Sequence, residues 1–428
     1  MFFIMIVSQE RYNLINQILI VLIASTIVFR PVCTILLIIF SLFNLINYKH
    51  INLDKRYLKD MLIIGIPFLL SLLFIFLNDN ILQGLKTVEK VLILIIFPLT
   101  ILTNRNLNIK SILNYYRKIF IVLLIFFLIR FIVIYPDKIE KYINGIDLIE
   151  IGYQYAISLG THAPALNMHI AFLTIVNFYF LVQSILKKKM NNIIYNIILF
   201  LIAFSFILIV NTRIALINIF LGCLIVLFFE FVKIYSFKKT ILISIISLIT
   251  FVGITAIYTK INPYMLDKYS TVTFDHMDKI GKLDEIENPE IVVFNALVTR
   301  VSIWKASYEV VLENLPFGTG AADGKKELNK YFERTNQQFL AKYEFPIHNQ
   351  ILDYGIKFGF FGILGVLVYL LYPIYKFLRI SIYQSLFLSF GVIFFISNLT
   401  DDFLIRFDGI VFSGLFYTLF SSISYKKY

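Results

Sequence analysis

Charge is what this sequence has least of. Only 15% of its 428 residues are charged, against 59% hydrophobic residues and a mean hydropathy of +0.81. Soluble domains carry about 25% charged residues, so a soluble globular chain is excluded and a polytopic membrane protein is indicated. Cysteine is almost absent. Cys33 and Cys223 both lie within apolar runs, which argues against a disulfide framework and a thiolate metal site. Histidine and cysteine spacings do not suit zinc. Gly318-Thr-Gly-Ala-Ala-Asp-Gly324 has the glycines of a phosphate loop without its lysine-serine ending. No aspartate pair is separated by a single residue, so a common metal-holding carboxylate pattern is missing as well. These absences call for no metal and no cofactor.

What is there is a series of long apolar runs. A lipid hydrocarbon core needs roughly 17 to 25 apolar residues per helix. By that ruler the chain holds about twelve spans, near 13–29, 31–47, 60–78, 88–103, 117–135, 164–186, 192–210, 214–232, 240–258, 350–374, 380–399 and 405–424. The first span lacks a small-residue cleavage site and reads as a retained helix rather than a signal peptide. The formal charge of +12 sits in short clusters between runs, such as Lys187-Lys-Lys189, as the positive-inside rule requires. No basic aromatic patch lies outside that pattern, so nucleic acid is not an expected partner. The alternation places both termini in the cytoplasm and one long segment outside.

The expected organisation is therefore helices 1–9 over 1–258, an extracytoplasmic loop over 259–349, and helices 10–12 over 350–428. The loop carries eleven basic and thirteen acidic residues and is close to neutral. Its stretch from Asp267 to Glu290 should be partly irregular. Leu297, Val301, Trp304, Tyr308, Val311 and Leu312 recur at three and four, predicting a helix over Asn295 to Asn314 with one apolar face. Pro316, Gly318 and Gly320 end it, and a second helical piece is expected over Lys325 to Lys342.

Three groups stand out by their place relative to the spans. Arg213 lies in a tight turn between the seventh and eighth spans. Arg300 opens the loop helix, and His348 lies where the loop returns to the membrane. All three fall at one depth on the outer face, and two guanidinium groups there make a seat for a pyrophosphate. Taken singly, an arginine at a helix end snorkels and a lone histidine is commonly structural. His162 in Gly160-Thr-His-Ala-Pro164, Trp304, Asn349 and Asp402 are candidate substrate-binding residues. Asp401 and Asp402 form an outer turn with Arg406 nearby, read either as a local ion pair or as acceptor binding. Arg130 reads as snorkelling, His169 as a span residue, and His50 and His276 as solvated.

The order of these motifs carries a likeness. Asn211-Thr-Arg-Ile-Ala-Leu216, Arg300 to Trp304, Pro316 to Gly320 and His348-Asn349, set among many spans, resemble the O-antigen ligase and polymerase superfamily. The resemblance covers mainly residues 160 to 375. One departure is Thr212, where many relatives have serine before the arginine. The likeness implies an all-α polytopic, GT-C-like glycosyltransferase of the bacterial inner membrane, with its active site on the periplasmic side. The donor would be an undecaprenyl-diphosphate-linked glycan and the acceptor a hydroxyl of lipid A-core. Arg213 and Arg300 would hold the donor diphosphate and His348 would act near the acceptor hydroxyl. A histidine titrating near pH 6.5 suits proton abstraction with inversion at the sugar carbon.

Two other readings stay open. A polymerase would join lipid-linked repeats with the same residues. A lipid-linked oligosaccharide flippase would show two similar halves and charges near the bilayer midplane. The sugar, the acceptor position and the oligomeric state are not legible.

Overall fold

The computed structural model describes residues 7–144, 151–261, 274–294 and 296–425, and every regular element among them is helical. Residues 267–273 of the stretch from Asp267, together with Asp147, Glu150, Asn295, Lys426 and Lys427, lie outside the described residues. Among those described, six helices are long and apolar enough to cross a membrane: Ala163–Leu186, Met190–Val210, Arg213–Phe231, Phe237–Ile254, Gln350–Arg379 and Phe407–Tyr425. Arg30–Ile46 and Gln384–Thr400 are apolar but shorter.

Ala163–Leu186 is the axis of the body. Its apolar window is 89% buried, against 6% for Phe237–Ile254, which therefore sits at the periphery with its apolar side chains outward. Met190–Val210, Arg213–Phe231, Gln384–Thr400 and Ile109–Ile134 pack on the axis. Phe172 meets Phe390 and Phe416 edge to face at 4.9 and 4.8 Å, the arrangement that ring quadrupoles favour.

Between membrane helices, apolar burial supplies little drive, because lipid is as apolar as leucine. Close packing and interhelical hydrogen bonds, about 0.6 kcal/mol each, take over. Asn167 donates to the Thr212 hydroxyl at 2.8 Å, Asn218 to Ser397 at 2.9 Å and Tyr369 to Ser413 at 2.7 Å. These bonds fix helix rotation, which apolar side chains alone leave loose.

Several predicted segments are not single helices. The 60–78 run is split into Lys55–Ile64 and Ile66–Leu73 at Gly65, with Pro67 opening the second piece. The 88–103 run continues from Ile93–Phe97 into a wider π-type turn at Pro98–Leu102, because proline has no N–H for the ladder. Gln350–Lys376 is kinked at Gly359, whose φ is 59°.

The polar segment after residue 274 builds a small core of its own. Leu297–Glu313 buries Val298, Ile303, Ala306, Val310 and Val311 against Leu328, Phe332, Phe339, Leu340 and Ile356. The predicted helix is present but its buried face is rotated. Tyr308 and Leu312 are 56% and 51% exposed, while Thr299, Ser302 and Ser307 are buried. Thr299 and Ser302 donate their hydroxyls to the carbonyls of Val293 and Val298, which lets a polar-looking face go inside. The expected helix over Lys325 to Lys342 is two helices, Gly324–Arg334 and Gln338–Tyr343, interrupted near Asn336, which is left-handed at φ 54°.

Candidate active site

Backbone geometry sets the site before any side chain does. Met190–Val210 ends on Asn211 at φ 53°, a left-handed conformation that asparagine tolerates better than most residues. The next helix starts two residues later with Arg213 in its first turn. That tight reversal delivers Arg213 to the end of the body where His162 caps the axis helix.

Arg300 sits in the first turn of Leu297–Glu313 and donates to the Thr400 carbonyl at 3.1 Å. One turn on, Trp304 donates its indole N–H to the carbonyl of His348 at 3.2 Å. His348 is itself left-handed at φ 55°, a conformation costing about 1–2 kcal/mol for a residue with a Cβ. The strain is held by Asn349, whose Oδ1 accepts from the backbone of Ile351 and Leu352 at 3.0 and 3.1 Å. Its Nδ2 donates to the Leu399 carbonyl at 3.2 Å. Asn349 thus positions His348.

His348 Nδ1 lies 3.3 Å from Asp401 Oδ1. The same oxygen accepts from Arg406 at 3.2 Å and from the Asp402 amide at 2.9 Å. Burial alone would raise Asp401; the His348 hydrogen bond and the Arg406 charge overcome it and hold the carboxyl well below the usual range. Asp402, 1% exposed, goes the other way. Burial and the adjacent Asp401 charge push its carboxyl well above the usual range. Two neighbouring carboxyls are thus shifted in opposite directions.

The tautomer follows. An ionised carboxylate only accepts, so His348 Nδ1 carries the proton, and in the neutral ring Nε2 is the basic atom. Asp401 would also stabilise the imidazolium once Nε2 takes a proton. A histidine oriented by a carboxylate in this way can act as a base toward a hydroxyl.

The Tyr153 phenol, raised by burial, feels Arg300, Asp401 and Arg213 together. His162 stacks edge-on against Tyr153 at 6.2 Å. Crowding by protein and then the Arg406 charge hold it down to about 4, so it is neutral at pH 7. Asp402 lines a cavity of about 390 Å³ with Lys86, Lys90, Lys325 and Lys357 in its walls. His348, Asp401 and Asp402 bring ligand atoms within 4.8 Å of one another, a set that a divalent ion could use. Arg406 already stands against both carboxylates, at 3.2 and 3.7 Å, and a guanidinium there competes with a cation.

Pro316 to Gly320 is a docking strap. Thr319 and Gly320 donate to the carbonyls of Ile356 and Lys357 at 2.9 Å, and Phe360 donates back to Pro316 at 3.0 Å. A Cβ on Gly359 would stand 2.1 Å from the Pro316 oxygen, and one on Gly318 2.5 Å from the Phe358 nitrogen. Only glycine allows the two backbones to meet.

Of the sequence-derived candidates, His348, Arg300, Trp304 and Asn349 are joined directly or through one residue, and Asp402 adjoins them through Asp401. Arg213 and His162 share their electrostatic neighbourhood. Tyr153 is not legible in the sequence, because nothing around it separates it from the chain's other 25 tyrosines. The O-antigen ligase family model matches residues 198–367, which bears out the resemblance read from the motifs over that stretch. No curated protein matches the chain.

Proposed function

We propose that this membrane protein is an O-antigen ligase-type glycosyltransferase. It moves a glycan from undecaprenyl diphosphate to a hydroxyl of lipid A-core, at a site on the periplasmic side of the inner membrane, in a body of about twelve spans. The observation that carries the reading is the His348–Asp401 pair beside Arg300, at the end of the body that Arg213 faces.

His348 Nε2 takes the proton of the acceptor hydroxyl as its oxygen attacks the anomeric carbon. The bond from that carbon to the diphosphate oxygen breaks on the opposite face, giving inversion. Arg213 and Arg300 balance the charge that develops on the leaving diphosphate, the largest electrostatic demand of the step. The cavity beside Asp402 has room for part of a sugar chain, and Trp304 donates to the carbonyl of His348.

The test is the banding pattern of lipopolysaccharide from a strain lacking the gene, complemented with wild type or His348→Ala. Bare core with polymer left on the carrier lipid, restored by wild type and not by the variant, supports the ligase. Core bearing a single repeat identifies a polymerase instead. Full restoration by His348→Ala overturns the mechanism.

A further inference from the structure

A second and larger cavity, about 540 Å³, lies at the other end of the body. It opens where Ile109–Ile134 and Met190–Val210 begin and Ala163–Leu186 ends. Phe180, the nearest axis-helix residue in its wall, is eighteen residues beyond His162, about 27 Å at 1.5 Å per residue. It takes no part in the chemistry proposed above.

Among the described residues its walls carry five cations, Lys110, Arg117, Lys118, Lys187 and Lys189, and no carboxylate. Arg117 is the unusual member, only 4% exposed. Its guanidinium lies 4.1 Å from the Phe180 ring centroid. Nη1 donates to Asn196 Oδ1 at 2.6 Å, and Nε and Nη2 donate to Asn114 Oδ1 at 3.1 and 2.9 Å. Asn196 gives its own N–H groups to Ser184 and the Phe180 carbonyl, which fixes its oxygen toward the arginine. All these partners are neutral dipoles. The carboxylate that the wall reaches through Gln183 is Glu230, itself held by Lys233 at 2.9 Å and Ser385 at 2.6 Å.

The positive-inside pattern accounts for exposed lysines such as Lys187 and Lys189. It does not account for an arginine drawn into the wall with only amides and rings around it. A buried charge without a counter-charge is costly to fold, and an ionisable group held that way in the wall of a cleft is a candidate functional site. The two helix starts at the rim add their partial positive charge.

We propose that this cavity binds a phosphate-bearing anion, seated against Arg117 and Lys118 and ringed by the rim lysines. Its volume exceeds that of free phosphate and suits a phosphate carried on a larger group. Either the headgroup of an anionic phospholipid or a soluble phosphate ester supplies that chemistry.

The full-length protein in detergent distinguishes them. In one arm, native mass spectrometry follows retention of phosphatidylglycerol against phosphatidylcholine. In the other, the thermal midpoint is followed with inorganic phosphate against chloride at equal ionic strength. The Lys118→Gln/Lys187→Gln variant is compared with a Lys279→Gln/Lys342→Gln control that loses the same charge elsewhere. A lipid site retains phosphatidylglycerol in wild type and control, about tenfold or more weakly in the cavity variant. A soluble-ligand site shows a phosphate-dependent rise in midpoint that only the cavity variant loses. Absence of both effects in wild type, or equal behaviour of the two variants, overturns the proposal.

Discussion

The two ends of the helical body carry positive charge in opposite ways. At the His348 end, Arg406 and His348 share Asp401 within 3.3 Å, and Asp402, its carboxyl raised by burial, sits beside them. At the Arg117 end, the buried guanidinium has amide oxygens and aromatic faces and, among the described residues, no acid in the cavity wall. Balanced charge fixes a histidine tautomer and leaves one nitrogen free to move a proton. Unbalanced charge is poor at proton transfer but well suited to holding an anion.

Making the first end more like the second is the largest test of this contrast. Asp401→Asn removes the carboxylate shared by His348 and Arg406 while keeping its shape. Breaking such a buried network should cost about 3 kcal/mol of stability. Transfer should fall about a hundredfold as the base loses its orienting anion. Detergent melting and a purified transfer assay read the two effects, and wild-type values in both would show that the pair is incidental.

Next in size is the strap contact at the kink of the helix that follows His348. Gly359→Ala places a Cβ 2.1 Å from the Pro316 oxygen at a φ of 59°, and should lower stability by about 2–4 kcal/mol. Gly160→Ala is its partner experiment. At φ 71° with nothing within 4 Å, it should cost only the left-handed penalty of about 1–2 kcal/mol. Equal melting losses would mean that the strap contact does not hold the kink.

The smallest effect concerns the carboxyl that burial raises. Asp402 has a folded value raised above its unfolded value of about 3.9, so its contribution favours folding below that pH and fades as pH rises through the folded value. Asp402→Asn should leave the melting midpoint at pH 7 equal to wild type or higher, with no gain at pH 4. Asp401 has the reverse sign, since its lowered carboxyl contributes above the unfolded value and is lost on acidification. A lower midpoint for Asp402→Asn at pH 7 would mean that this carboxyl is ionised and paired.

Much of the site is legible because its members lie in short, chemically odd stretches at the ends of apolar runs. Arg213, Arg300, Trp304 and His348 all stand out on that basis. Asp401 and Arg406 read as a local pair, but the link to His348 spans 53 residues of chain and has no periodicity. Tyr153 and the lysines of the smaller cavity have no local signal at all. The solvated charge expected of a basic cluster also fails at Arg117, which looks like one more cation beside Lys118 and is buried instead.

The sequence by itself determined the solvent. Low charge and long apolar runs specify an all-helical membrane protein, and glycine, proline and asparagine mark where its helices turn or break. Tertiary structure alone decided which face of each helix is inside and which carboxyl stays ionised. Hydropathy measures a side chain's preference for lipid or water, but a pairing such as His348 with Asp401 depends on neighbours brought in by the packing of distant helices.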